Sequence, residues 1–491
     1  MSQLMSLLRM RAAATGRAQR AGRLRHHHIS AQPLMMMLLN RTGAQASPLA
    51  VMLGTDQARP HLLVAPTSGT ATPMLTALAR ELAHYIEPRQ QRSETLPATS
   101  TQEAALRYTD APQILVPNPQ TVDYLRKLGR KLRFRPADAQ TPAADSVPRL
   151  GQWLTFFADR AEIPGAASLL AMTDLLGAHW VTGQSPLEDQ DLAALLAWID
   201  PPRHVASGLQ AALEAETAAT HRSAGPVTDA AFDNQQLAPL LKAHARASEH
   251  GKADILRELD GLLADHLQPT WDRMWQAFGL LHGLPEADSV KRRWSHERGQ
   301  FTQQSNHLAQ DGPPRPARDN AVVAAIGLAR REHATAVFAA ERAADDPFAR
   351  AELRTTGDAF AGSVTAVDIE RITRGPTGRP RWRPRFTMST QDPVRLEPGQ
   401  ALAWHGHRKA RYRILEVTPR DDDTLVELEV FEGMGTVARP NHAACPEASA
   451  CLVLTIAPDY YRMPEFPSRD QTPWTHGGPP SDRPDAVEEE P

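Results

Sequence analysis

Apolar and polar residues alternate in two stretches near the carboxy-terminal end of the chain. Tyr412 and Ile414 are interleaved with Arg411 and Arg413, and Val426, Leu428 and Val430 with Glu427 and Glu429. A period of two is that of a strand with one face buried. In Gly378-Arg-Pro-Arg-Trp-Arg-Pro-Arg-Phe386, the arginines share one parity while Trp382 and Phe386 hold the other. Pro380 and Pro384 cannot donate to a ladder, which predicts an edge strand or long loop there. Gly399 and Gly406 punctuate a further hairpin. Several such strands within residues 357–433 predict a small closed barrel.

The pattern upstream has the helical period. Residues 287–308 and 320–344 read as two long helices joined by Asp-Gly-Pro-Pro-Arg-Pro-Ala-Arg. Val290, Trp294, Phe301 and Leu308 form one seam; Val322, Ile326, Ala329, Ala336, Val337 and Ala340 form the other. A short linker between them predicts an antiparallel hairpin. Residues 150–285 read as helix throughout, with a break near Gly251. Trp271, Trp275 and Phe278 are spaced as a core stripe.

Residues 60–135 read as two β-α units. His61–Ala65 and Gln113–Pro117 are short apolar runs, each followed by a helix, at 72–86 and 122–131. A short helix is expected near 103–108. Two strands do not make a stable sheet, so more must come from elsewhere. The first 55 residues hold no acidic residue and several arginines. They read as a disordered basic arm or an early start codon, with Met35, Met36 and Met37 as later starts. Residues 463–491 are proline-rich with terminal glutamates and read as disordered.

The expected class is therefore α+β multidomain. A basic arm (1–55) precedes an α/β unit (56–140) and a helical body (150–285). A helical-hairpin stalk (286–345), a small basic β-barrel (354–460) and a tail (463–491) follow.

Composition adds little until charge is mapped. The chain has 491 residues, a formal net charge of −3 and 41 prolines. Heavy use of alanine and arginine fits a GC-rich bacterial genome. Two cysteines make no disulfide framework, which fits a reducing cytoplasm. Between Arg354 and Arg420, however, Lys and Arg outnumber Asp and Glu by thirteen to six. A local basic excess is the footprint of a polyanion partner, and arginine suits bidentate phosphate contact. The candidate nucleic-acid residues are Arg379, Arg381, Arg383, Arg385, Arg408, Lys409, Arg411 and Arg413.

Other chemistry is thinner. Thr67, Ser68, Gly69 and Thr70 sit at a strand end before a helix, where an anion would bind. Asn118 holds the matching place after the second strand. The one Gly-Lys pair, Gly251-Lys252, lacks the spacing of a Walker loop, so no P-loop motor is legible. No nucleophile elbow or zincin helix is present, and Asp421–Asp423 reads as a solvated turn. His405, His407, His442, Cys445 and Cys451 are the right types for zinc but make no compact four-ligand signature. No cofactor is expected.

The order of a long helical hairpin and then a small barrel, over 287–433, resembles the accessory insertion of superfamily 1 helicases of the nonsense-mediated-decay type. That resemblance implies a stalk and barrel placed over a nucleic-acid channel, next to a separate helicase or ATPase. The expected function is non-enzymatic binding of DNA or RNA in the cytoplasm. The alternatives are an enzyme or binder for a phosphorylated ligand at the α/β strand ends, and a protein-interaction scaffold.

Overall fold

The computed structural model describes residues 3–40, 48–66, 71–98, 103–135, 146–217, 225–375, 377–458 and 461. It has an α+β architecture with a closed barrel near the carboxy terminus.

The first unit is a five-stranded sheet. Its strands are β1 (Leu34–Asn40), β2 (Pro48–Gly54), β3 (His61–Val64), β4 (Ile114–Val116) and β5 (Leu169–Ala171), in the order β3-β2-β1-β4-β5. β1 pairs antiparallel with β2 and parallel with β4; β2–β3 is antiparallel and β4–β5 parallel. The expected disordered arm over 1–55 is thus corrected, because β1 and β2 form the middle of this sheet. Every residue of β1 is buried. Leu34, Met36 and Leu38 face one helical layer, and Met35, Met37 and Leu39 face the other. A strand covered on both sides is apolar at both parities, so it shows no alternation.

Ahead of the sheet lies α1 (Gln3–Thr15). Two arginines of this region are structural: Arg25 is buried against Glu286 at 3.1 Å, and Arg20 lies 4.7 Å over the Trp180 ring. One face of the sheet carries α2 (Ala71–Gln90), α3 (Pro119–Leu132) and α4 (Ser146–Ala161). The other carries α5 (Leu192–Ile199) and α6 (Glu249–His282), with Trp271 fully buried in that layer. Two further expectations are corrected. The region 150–285 is not wholly helical, since it supplies β5 to the sheet. Residues 105–108 form a strand paired with Ser93–Leu96, not a helix.

The hairpin is α7 (Val290–Ala309) and α8 (Ala321–Asp345). It is antiparallel: Arg293, at the start of α7, bonds Glu341, near the end of α8. Its packing differs from a free-standing stalk. Phe301 and Leu308 of α7 enter the core formed with α2 and α4, and Trp294 packs against that core. The α7 seam therefore belongs to the body, and α8 has only Glu341 and Ala343 buried.

Helix α9 (Pro347–Thr356) leads into the barrel through Gly357, whose φ of 83° is left-handed and suits glycine. The barrel strands are β6 (Ala359–Asp368), β7 (Arg385–Thr390), β8 (Ala401–Trp404), β9 (Arg411–Pro419), β10 (Thr424–Glu432) and β11 (Cys451–Ile456). All pairings are antiparallel, in the closed order β6-β7-β10-β9-β8-β11. Phe360, Phe386, Met388, Tyr412, Ile414, Leu428 and Leu454 fill it. Closure leaves no free edge among these strands.

Two devices fasten the barrel to the helices. Arg354 of α9 forks onto Asp392 at 2.6 and 2.9 Å, and Asp392 also accepts from the Ala361 amide at 2.7 Å. Arg408, in the β8–β9 turn, pairs with Asp345 at 2.7 Å and Asp288 at 3.3 Å. Asp345 in turn accepts from the Ser289 amide, so barrel, hairpin base and body meet at one carboxylate.

Candidate nucleic-acid interface

Between β6 and β7 the chain leaves the barrel wall as a small β-ribbon. Ile372–Arg374 pairs antiparallel with Pro380–Trp382, in the register Ile372↔Trp382 and Thr373↔Arg381. Gly375 and Gly378 form the turn, closed by Gly375 N–H to Arg379 O at 3.0 Å. Pro380 is tolerated because the ribbon has only two strands. A second ribbon follows β10: Gly435–Thr436 pairs with Arg439–Pro440. It lies beside the Pro380–Trp382 strand of the first.

The pleat sorts the first ribbon's side chains. Trp382 points inward and is 6% exposed. Its indole N–H donates to Ile369 O at 2.5 Å, and His442 meets the ring edge-on at 5.1 Å. Arg381 points outward and is exposed, and Arg379 is exposed; Arg374, in register with Pro380, lies on the Trp382 side of the pleat and is exposed too. On the second ribbon Arg439 is exposed. Among the described residues, none of these four arginines makes an ion pair. Ile372 and Val437 on the two ribbons are 54% and 40% exposed.

The eight arginine and lysine positions singled out from the sequence do not form one face. Arg379 and Arg381 are on the ribbon tip. Arg383 turns inward, donates to Phe431 O and touches Met434. Burial pulls its pKa below the ordinary guanidinium value; Glu429 opposes this, and Arg381, Arg413 and Arg371 add to it. Arg385 lies on the outer wall and pairs with Glu427 at 3.0 Å. Arg413 covers the Phe431 ring at 4.4 Å. Arg411 donates to the carbonyls of Arg408 and Ala410 at 2.9 Å. Arg408 is in the joint with Asp345, and Lys409 is exposed. The barrel wall therefore carries mixed charge, with Arg371 also paired to Glu429 at 2.6 Å.

Comparison with protein-family models, curated proteins and solved structures finds no match for this chain.

Sequence reasoning missed Arg439 and left out Arg374. A signal for Arg439 was available: both ribbons return through an Arg-Pro step, Arg379-Pro380 and Arg439-Pro440, a few residues after a glycine.

The remaining candidates disperse. His407 Nε2 is 3.2 Å from the Asn441 side-chain nitrogen, and His405 is exposed. Cys445 is buried, and burial raises its thiol pKa to about 11. Cys451 is exposed beside Ser363, at 3.5 Å. Among the described residues, no three His, Cys, Asp or Glu side chains form a metal cluster. Thr67, Ser68, Gly69 and Thr70 lie outside the described residues, as does 463–491. Asn118 is occupied as the cap of α3, where its side chain accepts from the Thr121 amide and hydroxyl at 3.0 Å. Asp421–Asp423 form the turn between β9 and β10, with Arg420 N–H donating to Asp423 O at 2.7 Å. No helix among the described residues is long and apolar enough to cross a membrane.

Proposed function

We propose that this protein binds nucleic acid without reacting on it, and that the two ribbons at the barrel end make the contact. The observation that carries this reading is the set of four exposed, unpaired guanidiniums, Arg374, Arg379, Arg381 and Arg439, on adjacent ribbons. An arginine already engaged with a carboxylate must give up that pair before it meets a phosphate; these four have no such pair among the described residues. Guanidinium matches the phosphate fork, and each phosphate neutralised releases counterions. A helicase or ATPase as working partner rested on the stalk-and-barrel layout. That layout names no surface for such a partner, so the proposal here is limited to the nucleic acid.

The test is fluorescence anisotropy of labelled single- and double-stranded DNA and RNA over a salt series. Wild type should bind at low salt, with log K falling by about 0.7–0.9 per contact per decade of salt. Changing Arg374, Arg379, Arg381 and Arg439 together to Ala should remove three to four contacts' worth of slope, roughly 2–3.5 in all, while leaving the melting temperature unchanged. Absence of binding at low salt, or an unchanged slope in the variant, overturns the reading.

A further inference from the structure

A cleft of about 1320 Å³ lies between α4, α7 and α8. It follows from how the hairpin packs. The apolar seam of α7 turns into the body, so α7 shows the cleft its polar side, Gln300, Gln303 and Gln304. Helix α8 spans the opening and is held at its ends. Before it, Arg315 bonds Asp159 and, at 2.7 Å, Asp319; at its far end Glu341 and Asp345 are tied to Arg293 and Arg408. Between these anchors Arg331 pairs with Glu162 at 3.4 Å, and the apolar side of the helix is only half covered: Val323 is 46% exposed, and Ile326, half-buried, lines the cleft. A helix of 25 residues with a half-covered apolar stripe calls for a partner.

The chain supplies one. Beyond β11, Tyr461 lines this cleft, its ring 5.4 Å from the His333 ring. Residues 462–491 follow. They begin Arg462-Met-Pro-Glu-Phe-Pro467, and across them acidic residues outnumber basic ones seven to three. The α8 side of the cleft has the opposite sign. Arg330 lines it and, with Arg318 just before α8, makes no ion pair among the described residues. Reach is sufficient. Phe466, five residues beyond Tyr461, can extend about 17 Å. Ile326 is seven residues along α8 from His333, about 10 Å.

We infer that the cleft is the docking groove for residues 462–491 of the same chain, with Met463 and Phe466 on the Val323–Ile326 stripe and the acidic residues toward Arg330 and Arg318. This is independent of nucleic-acid binding, since the groove lies on the hairpin and not on the ribbons.

Hydrogen exchange of the full chain and of a chain ending at Tyr461 tests it. The α8 amides from Val323 to Ala334 should exchange at least ~tenfold faster in the shortened chain, a local loss of protection. A synthetic peptide of residues 462–491 should restore the slow rate. Ile326→Asp with Arg330→Glu in the full chain should reproduce the fast rate, with the barrel amides unchanged. Equal α8 exchange in the full and shortened chains overturns the inference. So does protection that follows protein concentration instead of the tail, which would place a second copy in the groove.

Discussion

Arg408 of the barrel turn and Asp345 at the last residue of α8 meet at 2.7 Å, with the Asp345 side chain only 1% exposed. The arginine is thus one of the barrel's two holds on the helices, beside Arg354 on Asp392. Removing Arg408 leaves a buried carboxylate with the Ser289 amide and the more distant charges of Arg293 and Arg350.

Arg408→Ala should therefore lower stability by about 1–3 kcal/mol, less than for a fully buried pair because the arginine is itself partly exposed. A double-mutant cycle with Asp345→Asn in urea should return a coupling of roughly 0.5–3 kcal/mol. A coupling near zero would show that the pair holds nothing.

Trp382 separates core packing from base stacking. Its burial and its bond to Ile369 O predict that Trp382→Ala costs about 3–5 kcal/mol, read from denaturant unfolding. Affinity for nucleic acid, measured well below the variant's melting temperature, should stay the same. Lower affinity at unchanged stability would instead put the ring against a base.

Three histidines around the hairpin base are held uncharged. Burial lowers His27 to about 3, and Arg293 and His26 push the same way. Burial lowers His28 and His179 to about 4, helped by Arg25 for His28 and by His26 for His179. Below the ordinary histidine value near 6.5 the unfolded chain takes up protons that the folded one refuses. Their contribution to stability is then complete above about pH 6.5 and falls as the pH drops toward 4. Urea midpoints at pH 7 and pH 5 should differ in that direction, and His179→Gln should shrink the difference. A midpoint flat across this range would contradict it.

The barrel was legible because its strands keep one buried face, so Val426, Leu428 and Val430 declare themselves against Glu427 and Glu429. The central sheet was not. Leu34 to Leu39 are apolar at both parities, and three consecutive methionines in an acid-free stretch read more readily as start sites than as a strand. The arginine face failed for another reason. Parity holds only within one unbroken strand, and Trp382-Arg383-Pro384 is where ribbon gives way to barrel wall. Cross-strand partners are also invisible along a single chain. Arg385 and Arg413 both sit opposite Glu429 in register, and the glutamates that marked β10 as a strand also neutralise its neighbours. The hairpin was found, but which way its first helix turned its seam depended on a body surface that no local period reports.

The central strand also sets an order of events during synthesis. β1 and β2 can pair as soon as they leave the ribosome, yet the other edge of β1 waits for Ile114–Val116, and β4 waits in turn for Leu169–Ala171. Until then Leu34 and Met35 present unpaired backbone next to bare methionine surface on both sides. A nascent chain arrested in that interval would be a sticky half-sheet and a natural client for holding chaperones.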